Sequence, residues 1–335
     1  MRRFLSVGAL AAVLAAFVLA PACAPAETSH QPNTVAMCYV PSSKPHIERT
    51  DYVLPADADR LVRTTLSYRG ACASYGESAP LGDGAVTAYS QVDRDVPSAI
   101  GLVLRSGTLD GLPYQPPTAG LWCFDRNGDG TVDPMLECTG GYEHALYLSD
   151  RYRKTVDTPF TYLLVNWNPH GHTPPGIYDV AHFDVHFYLN DNAERLKIRP
   201  GPCTELVNCD DYKFGKVLPA TKYIPVDHKD VDALLPAMGN HLTDLTSPEF
   251  HGQPFTHTFI YGSWNRNMTF YEPMVTHQWF SGLVAGTKSD ACFPLKLPQA
   301  WKRSGWYPNE YCLRYRENRH ELIVSLEGFA YRHAS

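Results

Sequence analysis

The fold of this chain is decided by the stretch Ala181-His-Phe-Asp-Val-His-Phe-Tyr-Leu189. Apolar and polar residues alternate here, so successive side chains fall on opposite faces of an extended strand. One face is apolar throughout. The other carries two imidazoles and a carboxylate, from His182, Asp184 and His186. The stretch therefore predicts a strand with one core face and one face of metal-ligand residue types.

Other segments also have strand-like composition, bounded by Gly, Pro and Asp turns. Strands are predicted at 61–68, 85–92, 99–104, 161–165, 178–189, 256–261 and 268–275, and a hairpin at 311–315 with 321–331. A short helix is predicted at 231–238. The chain has no internal repeat and no long helix. The pattern predicts a mainly β fold, an antiparallel sandwich or barrel with long loops and few short helices.

The N-terminus predicts export. Residues 1–26 contain two arginines, an apolar run over 5–19 and small residues before a cleavage point after Ala26. Lipidation of Cys23 is the alternative. The apolar run is too short for a membrane span, so no span is expected in the mature chain. The mature protein is predicted to be periplasmic, secreted or lipid-anchored.

The remaining residues are enough for one large domain or two small ones. We expect an N-terminal extension at 27–75, packed on a single β-rich domain at 76–335. An insertion rich in Cys, Gly and Asp interrupts that domain at 115–145. The formal net charge of −6 gives no electrostatic reason to expect nucleic-acid binding.

Eight cysteines remain once Cys23 is removed or lipidated. In an exported protein they are expected to form disulfides. Pairing each with its nearest neighbour gives Cys38–Cys72, Cys123–Cys138, Cys203–Cys209 and Cys292–Cys312. Sequence alone leaves other connectivities open. A cysteine metal site is disfavoured because the chain has no Cys-x-x-Cys.

The histidine strand needs partners from other segments if it holds a metal. Residues two apart on a strand are roughly 6.5–7 Å apart, so two side chains of this strand can share an ion. Zinc or a similar divalent transition metal requires three or four ligands. We expect one shared site, and its candidate ligands are His172, His182, Asp184, His186, His241 and Glu272. The alternative is a polar network that holds loops over the sheet.

The insertion contains a pattern typical of a calcium loop. Oxygen-bearing residues recur at alternate positions, with Gly130 placed for the sharp turn. The candidate ligands are Asp125, Asn127, Asp129, Thr131 and Asp133. The stretch resembles EF-hand-like loops but departs from them at the twelfth position, where Leu136 replaces the usual glutamate. We predict a structural calcium ion; the alternative is a polar turn.

Several motifs together resemble an uncharacterised family of exported bacterial β-rich proteins. They are Ala99-Ile-Gly-Leu-Val-Leu, Leu109-Asp-Gly-Leu-Pro, Asn166-Trp-Asn-Pro-His-Gly-His-Thr-Pro-Pro-Gly, His182-Phe-Asp-Val-His-Phe-Tyr, Met238-Gly-Asn-His, Phe259-Ile-Tyr-Gly-Ser and Glu272-Pro-Met-Val-Thr. The resemblance covers roughly residues 76–335. It implies a β-rich domain without naming a reaction, and the calcium-like insertion departs from the family pattern.

Three functions follow from these residues. The first is an exported metal-binding protein of unknown biochemical activity. The second is a metal-dependent enzyme of oxygenase or lyase type, although the His-x-x-x-His spacing differs from the His-x-His of cupins. The third is a cell-surface interaction module with a purely structural network. The small-molecule or protein partner and the oligomeric state stay open.

The calcium interpretation makes a testable prediction. Without the twelfth-position glutamate, we expect affinity in the range of extracellular modules, roughly 10⁻⁴–10⁻³ M. Calcium should raise the melting temperature because it binds the native state preferentially. Asp129→Ala should abolish this rise in thermal denaturation. A wild-type protein that neither retains calcium nor responds to it would show that the loop is only a turn.

Overall fold

The computed structural model of the protein describes residues 33–139 and 141–335. The predicted signal peptide and Cys23 lie outside these residues. Within the described ranges, no helix is both long and apolar enough to cross a bilayer.

Strands dominate the described residues. In chain order they are β1 Val35–Tyr39, β2 Arg49–Val53, β3 Tyr68–Arg69, β4 Ser74–Leu81, β5 Gly84–Asp93, β6 Val96–Leu104, β7 Tyr142–Tyr147, β8 Tyr162–Asn168, β9 His182–Tyr188, β10 Pro200–Cys203, β11 His228–Leu235, β12 Gly239–Asp244, β13 His257–Trp264, β14 Asn267–Thr276, β15 Ala291–Pro294, β16 Gly305–Tyr307, β17 Glu310–Arg316, β18 Glu321–Glu327 and β19 Ala330–Arg332. The α-helices are short: α1 Pro55–Thr64, α2 Asp150–Thr155, α3 Asn192–Arg195, α4 Cys209–Gly215 and α5 His277–Val284. Single 3₁₀ turns occur at Thr221–Tyr223, Pro248–His251 and Glu317–Arg319.

Two antiparallel sheets make up most of the fold. One has seven strands in the order β11-β12-β13-β14-β9-β8-β7, and the other has six in the order β15-β17-β18-β6-β5-β4. Their facing sides contribute to one apolar cluster, so they form a sandwich. The predicted fold class, mainly β with antiparallel sheets and few short helices, is confirmed.

Strand β9 lies inside the seven-stranded sheet and directs its apolar face into the sandwich. Phe183, Val185 and Phe187 are fully buried there. The Phe183 ring contacts Trp167 of β8 and Phe280 of α5, with ring centroids 4.7 and 5.5 Å apart. The alternation seen in the sequence thus fixes which face of β9 meets the core, and it leaves the histidine face on the outer side of the sandwich.

A small sheet of order β2-β1-β3 precedes the sandwich and contacts the β17–β18 connection. Asn318 donates hydrogen bonds to the carbonyls of Thr65 and Ser67, both at 2.8 Å. The Arg316 guanidinium lies over the Tyr68 ring at 4.1 Å. These contacts attach the N-terminal segment to the six-stranded sheet, while the division into domains stays a prediction.

Two local predictions are wrong. Residues 61–68 were expected to form a strand, but helix α1 occupies Pro55–Thr64. Proline in its first turn and Arg63 in its last favour the helix. Residues 231–238 were expected to form a helix, yet β11 runs through Leu235 and pairs with β12. Pairing with the sheet overrides a weak local helix preference.

The disulfides Cys38–Cys72, Cys123–Cys138, Cys203–Cys209 and Cys292–Cys312 are all present, so nearest-neighbour pairing is confirmed. The last one links directly opposed residues of β15 and β17.

The packing of β9 predicts a large effect of Phe183→Ala. Removing this buried ring should lower the free energy of unfolding by roughly 3–5 kcal/mol, because the transfer term and the cavity term add. The matched control is Phe214→Ala, since Phe214 is 53% exposed and its loss should cost under about 0.5 kcal/mol. Urea unfolding with the disulfides intact measures both. Equal effects would contradict the assignment of Phe183 to the core.

A partly buried histidine elsewhere in the sandwich predicts a pH dependence of stability. His257 lies between the rings of Trp279 and Phe293, and its Nδ1 is hydrogen-bonded to the Tyr311 hydroxyl at 2.7 Å. Burial and, secondarily, the charge of Lys288 lower the pKa of His257 to about 4. Since the pKa in the unfolded chain is about 6.5, the unfolded state binds the extra proton first.

The stabilisation from His257 is therefore complete above about pH 6.5 and is lost as the pH falls towards about 4. At most about 3 kcal/mol is involved, from the difference between the two pKa values. Between about pH 7 and about pH 4, the free energy of unfolding of His257→Phe should fall less than that of the wild type, because the variant has no imidazole to protonate at this position. A variant with the same loss on acidification as the wild type would refute the assignment.

Candidate metal centre

The outer face of β9 is as deeply buried as its core face. Every residue of His182–Tyr188 is buried. Loop residues close this side of the sheet. The rings of Tyr178 and Phe255 pack against each other. The Tyr178 ring lies 5.9 Å from that of His172, and the Phe255 ring lies 5.4 Å from that of His182. The histidine face is thus an interior site and not a solvated surface.

The first triplet consists of His172, His182 and Asp184. The Nε2 atoms of His172 and His182 lie 3.3 and 3.1 Å from the two oxygens of Asp184. Asn168 of the neighbouring strand β8 donates a 2.6 Å hydrogen bond to Asp184 Oδ2. His172 reaches the triplet from the loop before β9 and keeps 25% of its side chain exposed.

A glycine makes the approach of His172 geometrically feasible. Gly171 adopts a φ of +72°, and a Cβ there would lie 2.0 Å from the Tyr178 carbonyl oxygen. The same loop closes through a hydrogen bond from the His172 amide to that carbonyl at 3.1 Å. Only glycine satisfies both the left-handed backbone and this close contact.

The second triplet consists of His186, His241 and Glu272, contributed by β9, β12 and β14. The Nε2 atoms of His186 and His241 lie 3.2 and 3.7 Å from the two oxygens of Glu272. His241 is opposite Gly262 of β13 in the sheet register. Because Gly262 has no side chain, the Phe270 ring fits beside it and contacts the rings of His186 and His241, with centroids 4.8 and 5.0 Å away.

Backbone carbonyls orient three of the four imidazoles. The Nδ1 atoms of His172, His182 and His241 lie 2.7, 2.6 and 3.1 Å from the carbonyl oxygens of Thr173, Val180 and Ala233. Since a carbonyl only accepts, each Nδ1 carries a proton. Nε2 is then the atom directed at the carboxylate, as in histidines whose second nitrogen is fixed for metal ligation.

The two triplets differ in charge. Burial raises the pKa of Asp184, but the nearby His182 and His172 outweigh it and hold that pKa well below its usual range. Burial lowers the pKa of His172, but the Asp184 carboxylate reverses this and raises it. The first triplet therefore contains an ionised carboxylate beside an imidazole that readily protonates.

In the second triplet, burial disfavours the charged form of every member. Burial, and then the proximity of His241, lower the pKa of His186 to about 3. Burial, and then His172, lower the pKa of His241 to about 4. Burial and the negative charge of Asp184 raise the pKa of Glu272 well above its usual range.

Some of these buried polar atoms are without hydrogen bonds in the described part of the chain. They include Asp184 Oδ1, His186 Nε2 and Glu272 Oε2. Such atoms cost on the order of 1–3 kcal/mol each when they are left unpaired in the interior. Within each triplet the potential ligand atoms all lie within 4.8 Å of one another. The two triplets are thus possible metal-ligand groups.

A cavity of about 370 Å³ opens beside both triplets and is reached by His172, Asp184 and His241. Its other walls are mainly apolar, with contributions from Ile177, Val231, Leu235, Met238, Phe250 and Ile260. Glu205 also lines this cavity. A molecule that fills this cavity would therefore contact at least one member of each triplet.

All six candidate ligands predicted from the sequence lie on this face, although they form two triplets and not the single shared site expected from the strand. The neighbouring His170 lies instead against the Tyr114 ring, 4.4 Å between centroids. Sequence reasoning missed Asn168 and Glu205. Asn168 lies on β8 directly opposite His182, and its position before the Pro-His-Gly-His turn was the available signal. No sequence pattern marks Glu205.

The calcium-like loop is organised by its own hydrogen bonds. Asp125 accepts from the amides of Gly128 and Gly130, at 2.7 and 2.8 Å. Glu137 accepts from three loop amides, those of residues 126, 127 and 133. The Cys123–Cys138 disulfide closes the loop at its base. Calcium binding by Asp125, Asn127, Asp129, Thr131 and Asp133 stays a prediction.

Comparison of the chain with family models, with curated proteins and with solved structures gives no match.

Proposed function

We propose that this is an exported metal-binding protein whose histidine face holds divalent transition-metal ions, one in each triplet. The observation that carries the proposal is the convergence of two His₂-carboxylate sets, each with its ligand atoms within 4.8 Å and all members buried except the partly exposed His172. Two imidazoles and one carboxylate are a ligand set used for zinc in hydrolases and for non-haem iron. Zinc is the ion we favour.

The arrangement of the imidazoles supports the same proposal. A purely structural network would be expected to hydrogen-bond its buried members, whereas Glu272 Oε2 has no hydrogen-bond partner among the described residues. Three imidazoles already have their Nδ1 atoms fixed by backbone carbonyls. Little reorganisation is needed to place Nε2 on an ion.

Export is part of the proposal. The basic and apolar N-terminus and the family resemblance support it, and the four disulfides are compatible with an oxidising compartment.

A metal-dependent enzyme is the second candidate, and the cavity favours it over storage. Three protein ligands leave coordination positions open for water or substrate. Apolar walls with a few converging polar groups are typical of small-molecule sites. A storage site has no need for about 370 Å³ of apolar space beside its ligands.

Isosteric variants test metal binding. Asp184→Asn and Glu272→Gln should each lower the affinity of one zinc ion at least tenfold, because each removes the charged ligand of one triplet. Glu272→Gln should retain the fold especially well, since glutamine has the same shape and burial already disfavours the charged form of Glu272. Zinc per chain is measured by elemental analysis after dialysis, and folding by circular dichroism.

The matched control is His170→Ala, which removes a nearby histidine that lies against Tyr114 and outside both triplets. We expect it to keep the wild-type zinc content. A wild-type protein that takes up no transition metal would reject the proposal and leave a structural polar network in its place.

A further inference from the structure

Glu205 is a carboxylate that the two triplets do not use. It is half-buried on the cavity wall, and its charge interacts with that of His172 of the first triplet. None of the hydrogen bonds or ion pairs found among the described residues involves its side chain. Partial burial raises the pKa of Glu205, and the charges of Arg126 and His172 oppose this. Its carboxylate is thus free to hydrogen-bond a molecule in the cavity.

The backbone around Glu205 is strained and held in place. Both flanking residues have positive φ, 34° at Thr204 and 62° at Leu206. The Cys203–Cys209 disulfide closes this short loop, and Arg126 donates hydrogen bonds to the carbonyls of Pro202 and Thr204. Non-glycine residues in this conformation persist only where the surroundings enforce them, and they cluster at functional sites.

The walls of the cavity define the kind of molecule that fits. No lysine or arginine is among the residues that line it, whereas Asp184 and Glu205 are acidic. The apolar side chains that make up most of the lining favour a neutral, apolar molecule. A volume of about 370 Å³ admits a small molecule and excludes a folded or polymeric substrate.

Resting on the metal site proposed above, we infer that Glu205 is a catalytic general base and that the protein hydrolyses small, neutral, apolar carboxylic esters. A metal held by His172, His182 and Asp184 would supply Lewis-acid polarisation of the ester carbonyl and of water. Glu205 accepts a proton from a water molecule between itself and the triplet. The water oxygen bonds to the carbonyl carbon, the bond from that carbon to the alkoxy oxygen breaks, and Glu205 returns the proton to the leaving oxygen. The products are a carboxylic acid and an alcohol, and no redox partner is needed.

The test compares zinc-loaded wild type with Glu205→Gln, using 4-nitrophenyl butyrate as the ester. Loss of the base should lower the hydrolysis rate by at least a hundredfold, within the range typical of general-base catalysis, while zinc content stays at the wild-type value. The matched control is Glu194→Gln, an exposed glutamate that pairs only with Lys197 on the surface. It should hydrolyse at the wild-type rate.

A binding measurement provides a readout that does not depend on turnover. Benzohydroxamic acid combines a metal-binding group with an apolar ring, and on binding it can give its proton to Glu205. Calorimetry should show binding about tenfold weaker in Glu205→Gln than in wild type or in Glu194→Gln.

The remaining outcomes separate the two proposals. If wild type binds zinc but does not hydrolyse the ester, or if Glu205→Gln hydrolyses it at the wild-type rate, the inference about Glu205 is overturned and the metal site stands. If Glu205→Gln loses zinc, Glu205 is a metal ligand and the general-base role is overturned. If wild type holds no zinc, the proposed function itself fails.

Discussion

Burial of two carboxylates on one face of a sheet is the constraint around which this site is built. Asp184 and Glu272 are 4% and 1% exposed, and burying an ionised carboxylate is costly unless it is paired. The structure meets that cost in two ways. Asp184 is surrounded by His172, His182 and the Asn168 amide, and the two imidazoles outweigh burial and hold its pKa well below the usual range. Burial and the negative charge of Asp184 instead raise the pKa of Glu272 well above its usual range. A cation in the second triplet favours the charged form of Glu272, so its affinity is expected to rise with pH.

The period-two pattern of β9 explains why so much of this site was visible in the sequence. A strand that alternates apolar and ligand-type residues can be buried in one register only, because a slip of one residue would turn His182, Asp184 and His186 into the sandwich. His241 and Glu272 were predicted as partners from their chemistry alone. Their meeting with His186 depends on the strand order β12-β13-β14-β9, which no local pattern encodes. This is also why one site was expected where two are found.

The errors in secondary structure have the same origin. Residues 231–238 have no strong preference of their own, and their extended form comes from pairing with β12. Residues 61–68 were misread because apolar content outweighed the proline-led start of α1. Glu205 shows a further limit of sequence reasoning. Its position depends on a disulfide loop and on Arg126, from a segment almost 80 residues earlier in the chain. Neither feature produces a periodic pattern of residues in the sequence.

The depth of the ligands has a kinetic consequence. His182 and His186 are fully buried and Glu272 is nearly so, and the loop bearing His172 closes over them. An ion must therefore enter through the cavity or be captured while the loop is still open during folding. If an ion is held there, its exchange after folding would depend on passage through the cavity, past His172, Asp184 and His241.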